Sequence, residues 1–310
     1  MGLVGDVPAQ THRGAAVPYR ITALAEPARG GSSYRLAWLA TNDDGVPVGS
    51  AFLRVYTAAG VDHLAEVDVQ VHPVERRAGV GSLLLDAAVA GAREVGRRSV
   101  MTVHVPVDSP GEKFLARRGL RRVLTLTYAR LPLGEVDLTA LTDVVERPHP
   151  GYRLAAWTGT VPDQLAGTFA ASRRAMDDMP MDDTDYGTES WDVDRVRAVA
   201  KAIAERGDVL DTVVAIDTSD GSIAGFTELV VPGDGTGDAQ HYGTAVLPEH
   251  RGHGLARWMK AEAIRRARHR YPTLAGLLTD TADSNSHMRR INDALGYAPT
   301  HRSVVYQLDL

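Results

Sequence analysis

Two short stretches, Arg76-Arg77-Ala78-Gly79-Val80-Gly81 and Arg251-Gly252-His253-Gly254-Leu255-Ala256, share one pattern and decide the fold. Each stretch follows a proline, at Pro73 and at Pro248, and each precedes a run of helical periodicity. Glycines at such a turn let backbone N–H groups converge, and the start of the helix adds the positive end of a dipole. The pattern predicts a strand, a turn and a helix that together bind an anion, and a pyrophosphate fits such a turn best.

Two better-known phosphate loops do not fit these stretches. A dinucleotide-binding turn needs a third glycine three residues after the second, and those positions hold Leu84 and Arg257. A P-loop needs Gly-Lys-Ser or Gly-Lys-Thr, which the sequence lacks. The remaining alternative is an ordinary connection between a strand and a helix, without a ligand.

The two stretches belong to a longer match between the halves of the chain. The matching positions are Val71 and Val246, Pro73 and Pro248, Arg76 and Arg251, Gly79 and Gly254, and Gly81 and Ala256. An ordered set of this kind predicts a duplicated domain. We place a flexible N-terminus at 1–16, a first domain at 17–148 and a second domain at 149–310. The boundary falls where two prolines bracket His149.

Hydrophobic periodicity predicts that strands and helices alternate, which is typical of an α/β protein with a mixed sheet. The predicted strands are 64–71, 99–107, 212–216, 223–231, 242–247 and 274–279. The predicted helices are 81–97, 161–176, 193–206, 255–269 and 286–295. The first half is reduced, because 21–34 shows no equivalent of the two helices at 161–176 and 193–206.

With these motifs, the chain resembles a tandem member of the GNAT superfamily, the acyl-CoA-dependent N-acyltransferases. A second block of that family has an asparagine, then an apolar residue, an aromatic residue and a glycine–aromatic pair. The chain matches its spacing at Asn285, Met288, Asn292, Gly296 and Tyr297. The first half carries a weaker version, so the resemblance implies that the second half works and that the first is structural or regulatory.

The resemblance implies that acetyl-CoA is the acyl donor and that its pyrophosphate lies on the glycine turn. The implied binding residues are Ala245, Val246, Leu247, Arg251, Gly252, His253, Gly254, Leu255, Ala256, Asn285, Met288 and Asn292. Four basic helix residues are further candidates for phosphate contacts or for a solvated basic face: Arg257, Lys260, Arg289 and Arg290. The sequence departs from the family at Asn292, where a tyrosine usually protonates the departing thiolate, because an amide cannot act as that acid.

An amine must lose a proton before it attacks a thioester, so a general base or a water chain is required. Glu228 is a candidate base because it lies inside an apolar strand, and His241 because its ordinary pKa is near neutral. Tyr297 is a candidate acid in place of Asn292, with Tyr306 or water as alternatives. Exposed strand positions are the alternative explanation for the first two residues.

The segment 177–194 is strongly acidic and contains no lysine or arginine. A cationic amine would be attracted to it, so Asp182, Asp183 and Tyr186 are predicted to bind the acceptor together with Glu228. The alternative is a solvated loop in which Asp192 or Asp194 caps the next helix.

Composition excludes several classes of protein. The 310 residues include no cysteine, and the formal net charge of -5 argues against nucleic acid as the main partner. No apolar run is long enough for a membrane span, and no signal peptide is evident, so we expect a cytoplasmic protein without membrane partners. Three histidines, His241, His250 and His253, lack the carboxylate or cysteine ligands that would complete a metal site.

The sequence therefore predicts an N-acetyltransferase that moves an acetyl group directly to the primary amine of a small molecule. One alternative is an acyl-CoA-binding sensor or scaffold without turnover. Another is an aminoacyl transferase that uses charged tRNA, against which the acidic chain and the intact glycine turns argue. The identity of the acceptor, the length of the acyl chain and the oligomeric state are not legible in the sequence.

Overall fold

A computed structural model describes residues 19–24, 33–188 and 190–310. The chain divides into two compact units. The described part of the first consists of 19–24, 33–57, 62–103 and 309–310, and that of the second of 58–61, 104–188 and 190–308. The predicted flexible stretch 1–16 lies outside the described residues, and so does most of the predicted helix-free stretch, at 25–32.

The first unit is a sheet covered by one long helix. Its elements are β1 (Arg20–Leu24), β2 (Ser33–Thr41), β3 (Pro47–Tyr56), β4 (Leu64–Val71), α1 (Val80–Glu94) and β5 (Ser99–Thr102). The strands follow the order β1-β2-β3-β4-β5, and neighbours are antiparallel except β4 and β5. Those two are parallel because α1 crosses back over the sheet between them.

The second unit begins with β6 (Val105–Pro106), α2 (Pro110–Arg117), β7 (Arg121–Pro132), α3 (Leu138–Glu146), β8 (Tyr152–Thr158) and α4 (Asp163–Ser172). It continues with α5 (Val193–Glu205), β9 (Val209–Asp217), β10 (Ile223–Val231), β11 (Gly237–Val246) and α6 (Leu255–Arg270). It ends with β12 (Leu274–Ala282), α7 (Ser286–Ala294) and β13 (Ala298–Asp309). These bounds agree with the predicted elements to within a few residues, except that β11 begins earlier than predicted.

The sheet of the second unit has the order β13-β7-β12-β11-β10-β9-β8, with β6 paired to β13. The pair β11 and β12 is parallel, and the other neighbours are antiparallel. One core cluster joins α6 to the sheet and includes Leu229, Ala261, Ile264 and Tyr297. Another joins α4 to the sheet and includes Phe169 and Phe226. The helices α6 and α4 therefore pack against different faces of the sheet. The predicted mixed α/β fold is confirmed.

The strand β7 precedes the predicted domain boundary, yet it lies in the second unit between β12 and β13. The compact units therefore divide this chain at a different place from the predicted duplication. The boundary at residues 148 and 149 concerns the duplication and stays a prediction. Within the described residues, every helix is too short or too polar to cross a membrane.

Candidate functional site

The glycine turn of the second unit ends in a helix start that no side chain caps. Gly254 is the N-cap of α6 at a φ of +73°, and Gly252 has a φ of +83°. Both values lie in the left-handed region that favours glycine. Because no side chain of the described residues accepts from the first N–H groups of α6, those donors remain available to an anion.

An arginine fixes the turn to the end of the preceding strand. Arg251 donates through Nε to the carbonyl of Val246 at 3.1 Å, and through Nη2 to Asp178 at 3.0 Å. The first unit repeats the strand contact, since Arg76 Nε donates to the carbonyl of Val71 at 3.1 Å. The repeated bond supports the match that was found in the sequence.

The helix start is repeated too. Gly79 is the N-cap of α1 at a φ of +93°, again without a side-chain cap. The turns differ at one point, because Arg77 has a φ of +71° at the position equivalent to Gly252. A non-glycine residue is strained in that region, so the second turn is the more relaxed of the two.

A second feature is the open edge of β11. Its pairing with β12 covers only Gly237–Gln240, and among the described residues the later part of β11 is paired on its β10 side alone. The carbonyls of His241 and Val246 accept from Gln240 and Arg251, and the other backbone groups of 241–246 on the β12 side are available to an extended ligand that carries amides. The predicted contacts at Ala245 and Val246 lie on this edge, and Leu247 follows it. The edge leads directly into the glycine turn.

The pairing of β10 with β11 contains an irregularity next to that edge. Glu228 is opposite Gly243 and Leu229 is opposite His241, so Tyr242 is an extra residue, and it is 52% exposed. An extra residue reverses which face the following side chains occupy. As a result, His241 and Glu228 lie on different faces of the sheet.

His241 lies on the α6 face, where it is 7% exposed. Its Nε2 is 2.6 Å from the hydroxyl of Tyr297, and Nζ of Lys260 is 5.0 Å from the centre of the Tyr297 ring. Burial, then the charge of Lys260, lower the pKa of His241, while burial raises the pKa of Tyr297. The backbone of Glu228 opposes the lowering, and Nδ1 of His241 has no hydrogen-bond partner among the described residues.

Lys260 is itself 1% exposed, so the predicted contact with a phosphate, or with solvent, is wrong for this residue. Burial lowers its pKa to about 7, and the charge of Asp280 opposes that shift. The structure thus brings together the predicted residues His241 and Tyr297 and adds a buried lysine beside them.

Glu228 lies on the α4 face and is 1% exposed. Its Oε1 accepts from Arg173 Nη2 at 2.7 Å. The guanidinium carbon of Arg173 is 4.8 Å from the ring centre of Phe169, 4.7 Å from that of Trp191 and 4.6 Å from that of Phe226. Three aromatic rings and one carboxylate therefore hold a single orientation of Arg173.

The predicted acceptor-binding residues of the acidic segment are anchored near β7 and α7. Asp183 donates its N–H to the carbonyl of Val123, and Asp182 accepts from the hydroxyl of Ser284. Tyr186 is 37% exposed. These contacts hold the segment in place, but they do not test a role in binding the acceptor, which stays a prediction.

Further along the segment, Asp192 accepts from the N–H of Arg195 and caps α5, so the capping alternative is confirmed for Asp192.

The second family block forms the start and the inner face of α7. Asn285 caps the helix by accepting from the N–H of Met288 at 3.1 Å. Asn292 is 3% exposed and donates to Thr281 Oγ1 at 3.2 Å. A buried amide in this position holds structure and supplies no acid. Binding of the donor by these residues stays a prediction.

Sequence reasoning missed Arg173, and it misplaced Lys260. An arginine at the end of a helical pattern is ordinary in sequence, and only the pairing of β9, β10 and β11 places Glu228 beside it. No group of three potential ligands in the described part of the chain could hold a metal ion. The predicted histidines make other contacts there, His250 with the hydroxyl of Tyr152 at 3.0 Å, for example.

Comparison with known proteins identifies relatives of both halves. The model of the acetyltransferase (GNAT) family matches residues 15–120 and 175–297. A protein named mycothiol acetyltransferase from Clavibacter michiganensis is 32% identical over 71% of this chain, and the match spans 64% of that protein, less than two thirds. A protein of the same name from Thermobifida fusca is 28% identical, and the match covers 90% of this chain and 84% of that protein.

One solved structure shares the tandem arrangement. It is described as a tandem GNAT protein from the clavulanic acid biosynthesis pathway, without acetyl-CoA. The similarity has a TM-score of 0.71 and 25% sequence identity, and it covers 92% of this chain and 84% of the other. The prediction of two GNAT-like domains in tandem is confirmed.

Proposed function

Because the chain belongs to the GNAT acetyltransferase family, we propose that it moves an acetyl group from acetyl-CoA to the primary amine of a small molecule. Transfer is direct, within a complex of protein, donor and acceptor, and the second half is the catalytic one. The observation that carries this proposal is the position of Glu228, a buried carboxylate beside the irregular pair of β10 and β11.

The donor fits the residues around that point. The uncapped start of α6 suits a pyrophosphate, and the open edge of 241–246 suits the amide-containing arm that follows it. The acetyl thioester would then reach the region of Tyr242 and Gly243, opposite Glu228. Backbone N–H groups there would polarise the thioester carbonyl.

Glu228 is our choice of general base. It takes a proton from the ammonium directly or through water, the amine nitrogen forms a bond to the acetyl carbon, and the carbon–sulfur bond breaks. As the amide forms, the bonded nitrogen releases its second proton to water. The thiolate takes a proton from water, because Asn292 is no acid and Tyr297 is buried against His241. The roles predicted for His241 and Tyr297 stay predictions. Both side chains lie on the α6 face of the sheet, whereas Glu228 lies on the α4 face.

The acceptor is proposed from the relatives. Two relatives, 32% and 28% identical to this chain, are named mycothiol acetyltransferase. We therefore propose mycothiol lacking its acetyl group as the first amine to test. A positive charge on the acceptor stays a proposal that the acidic segment 177–194 supports.

The test is mass spectrometry of mixtures of purified protein, acetyl-CoA and mycothiol lacking its acetyl group, with simple amines and a polyamine in parallel. We expect an acetylated amine and release of CoA, and we expect the rate of both to fall at least about a hundredfold, but not to zero, in Glu228→Gln. Binding of acetyl-CoA without acetylation of any amine would instead support the sensor. Binding of tRNA in a gel shift would support the aminoacyl transferase.

A further inference from the structure

Beside Glu228, the structure leaves three buried polar atoms without a hydrogen-bond partner among the described residues. They are Glu228 Oε2, Thr212 Oγ1 and Arg173 Nε. Thr212 is 0% exposed and Glu228 is 1% exposed. Buried polar atoms are normally paired, so such a group calls for an explanation.

The three atoms belong to one place in the fold. Thr212 on β9 is directly opposite Glu228 on β10, and residues opposite each other in antiparallel strands share a face, with Cβ atoms about 5 Å apart. Arg173 reaches the same face from the turn after α4. Arg173 Nε is a donor, so Thr212 Oγ1 and Glu228 Oε2 are the two unpartnered acceptors of this group.

We propose that Thr212 and Glu228 together bind the amine of the acceptor, and that Arg173 is a positioning residue that fixes Glu228 for this task. The inference rests on the proposed acetyl transfer and adds the residues that recognise the amine. A nitrogen with two or three N–H groups can donate to Glu228 Oε2 and Thr212 Oγ1 at once.

The ion pair explains why Arg173 is needed. One oxygen of Glu228 is held by Arg173, so the other has a fixed direction, and the nearby guanidinium offsets the charge of the carboxylate. The fixed oxygen therefore receives the nitrogen in one orientation, which is how Arg173 acts through Glu228.

Thr212→Val keeps the shape of the side chain and removes its hydroxyl. We expect the KM for the amine to rise about tenfold, the loss of one hydrogen bond worth about 1.4 kcal/mol, with little change in the affinity for acetyl-CoA. We also expect an equal or higher melting temperature, because the variant loses an unpartnered polar group. A lower melting temperature with an unchanged KM would overturn the proposal for Thr212.

Thr227→Val is the matched control. Thr227 is buried on β10 as well, but its hydroxyl is 2.7 Å from that of Thr244. The control should lower the melting temperature and leave the KM for the amine unchanged. The melting temperatures can be measured without turnover. They therefore test whether the hydroxyl of Thr212 lacks a partner even if no amine is acetylated. Absence of acetylation by the unaltered protein would instead count against the proposed function.

Arg173 is tested by a double-mutant cycle with Glu228→Gln. We expect Arg173→Met to lower kcat/KM for the amine about a hundredfold and Arg173→Lys to restore part of it. In the Glu228→Gln background, Arg173→Met should change kcat/KM less than threefold. The double variant also removes both buried charges, so it folds even if Arg173→Met alone does not. Additive losses, or no rescue by lysine, would overturn the positioning role.

Discussion

The hydroxyl of Tyr297 lies 2.6 Å from Nε2 of His241, and both side chains are buried on the α6 face of the sheet. Tyr297→Phe keeps the ring and removes the hydroxyl, which leaves Nε2 of His241 buried and unpaired. We expect the free energy of unfolding to fall by roughly 1–3 kcal/mol in urea denaturation. Tyr242→Phe, at an exposed position, should change it by less than about 0.5 kcal/mol. Equal effects of the two variants would contradict the importance of this hydrogen bond.

The lowered pKa of His241 makes stability depend on pH. In the unfolded chain a histidine takes up a proton near pH 6.5, whereas the folded protein keeps His241 neutral well below that value. The unfolded state therefore binds more protons at low pH, and stability falls as the pH drops through 6.5. His241→Gln should show a smaller loss of unfolding free energy between pH 7.5 and pH 5. An identical loss in both proteins would show that other groups cause it.

The local parts of the site were predictable from sequence, because their signals are local. The turns at Arg76 and Arg251 need glycines at fixed distances, and Asn285 caps α7 within its own segment. Glu228 also stood out, since a charge inside an apolar strand requires a partner. Neighbours in the chain determine the geometry of the turns and of the cap, whereas the partner of Glu228 lies far away in the sequence.

The remaining parts depend on contacts between distant segments. Arg173 and Thr212 matter only because β9, β10 and the turn after α4 meet on one face. Lys260 was misplaced because α6 packs against the sheet and against α3, so more than one side of it is buried. A single amphipathic stripe could not reveal that arrangement. The extra residue at Tyr242, which separates the faces of His241 and Glu228, also has no signature in the sequence.

Lys260 leads to a prediction whose pH dependence follows from its lowered pKa. Burial lowers the pKa of this lysine from 10.5 to about 7. Below pH 7 the folded protein therefore holds a buried charge, which lowers its free energy of unfolding. Lys260→Met should therefore raise the free energy of unfolding at pH 6.5. The gain should shrink between pH 7 and pH 10.5, because the folded protein releases that proton before the unfolded chain does.

Chemical denaturation at pH 6.5 and at pH 9.5 measures that difference. Lys201→Met is the matched control, since Lys201 is exposed and its ion pair in the described part of the chain is with Glu205 at 3.7 Å. Its effect should be small and the same at both pH values. A constant gain for Lys260→Met across this range would mean that the lysine is charged and solvated in the folded protein.

The two glycine turns separate the roles of the two halves. Gly254→Glu places a side chain at a φ of +73° and a negative charge at the start of α6. Gly79→Glu makes the same change at a φ of +93° at the start of α1. The backbone strain is similar in the two variants, so a difference in activity reports the ligand and not the conformation. Native mass spectrometry with acetyl-CoA and calorimetry measure binding, and acetylation of the amine measures turnover.

We expect Gly254→Glu to weaken binding of acetyl-CoA at the second turn at least about a hundredfold and to abolish acetylation, because a carboxylate and a pyrophosphate repel each other where the helix N–H groups would bind the donor. Gly79→Glu should keep acetylation, since the first half holds no working acceptor site in our proposal. If the protein binds two molecules of acetyl-CoA and Gly79→Glu loses one of them without loss of turnover, the first half is a ligand site outside the reaction. Loss of turnover in Gly79→Glu with full activity in Gly254→Glu would place catalysis in the first half and reverse the assignment.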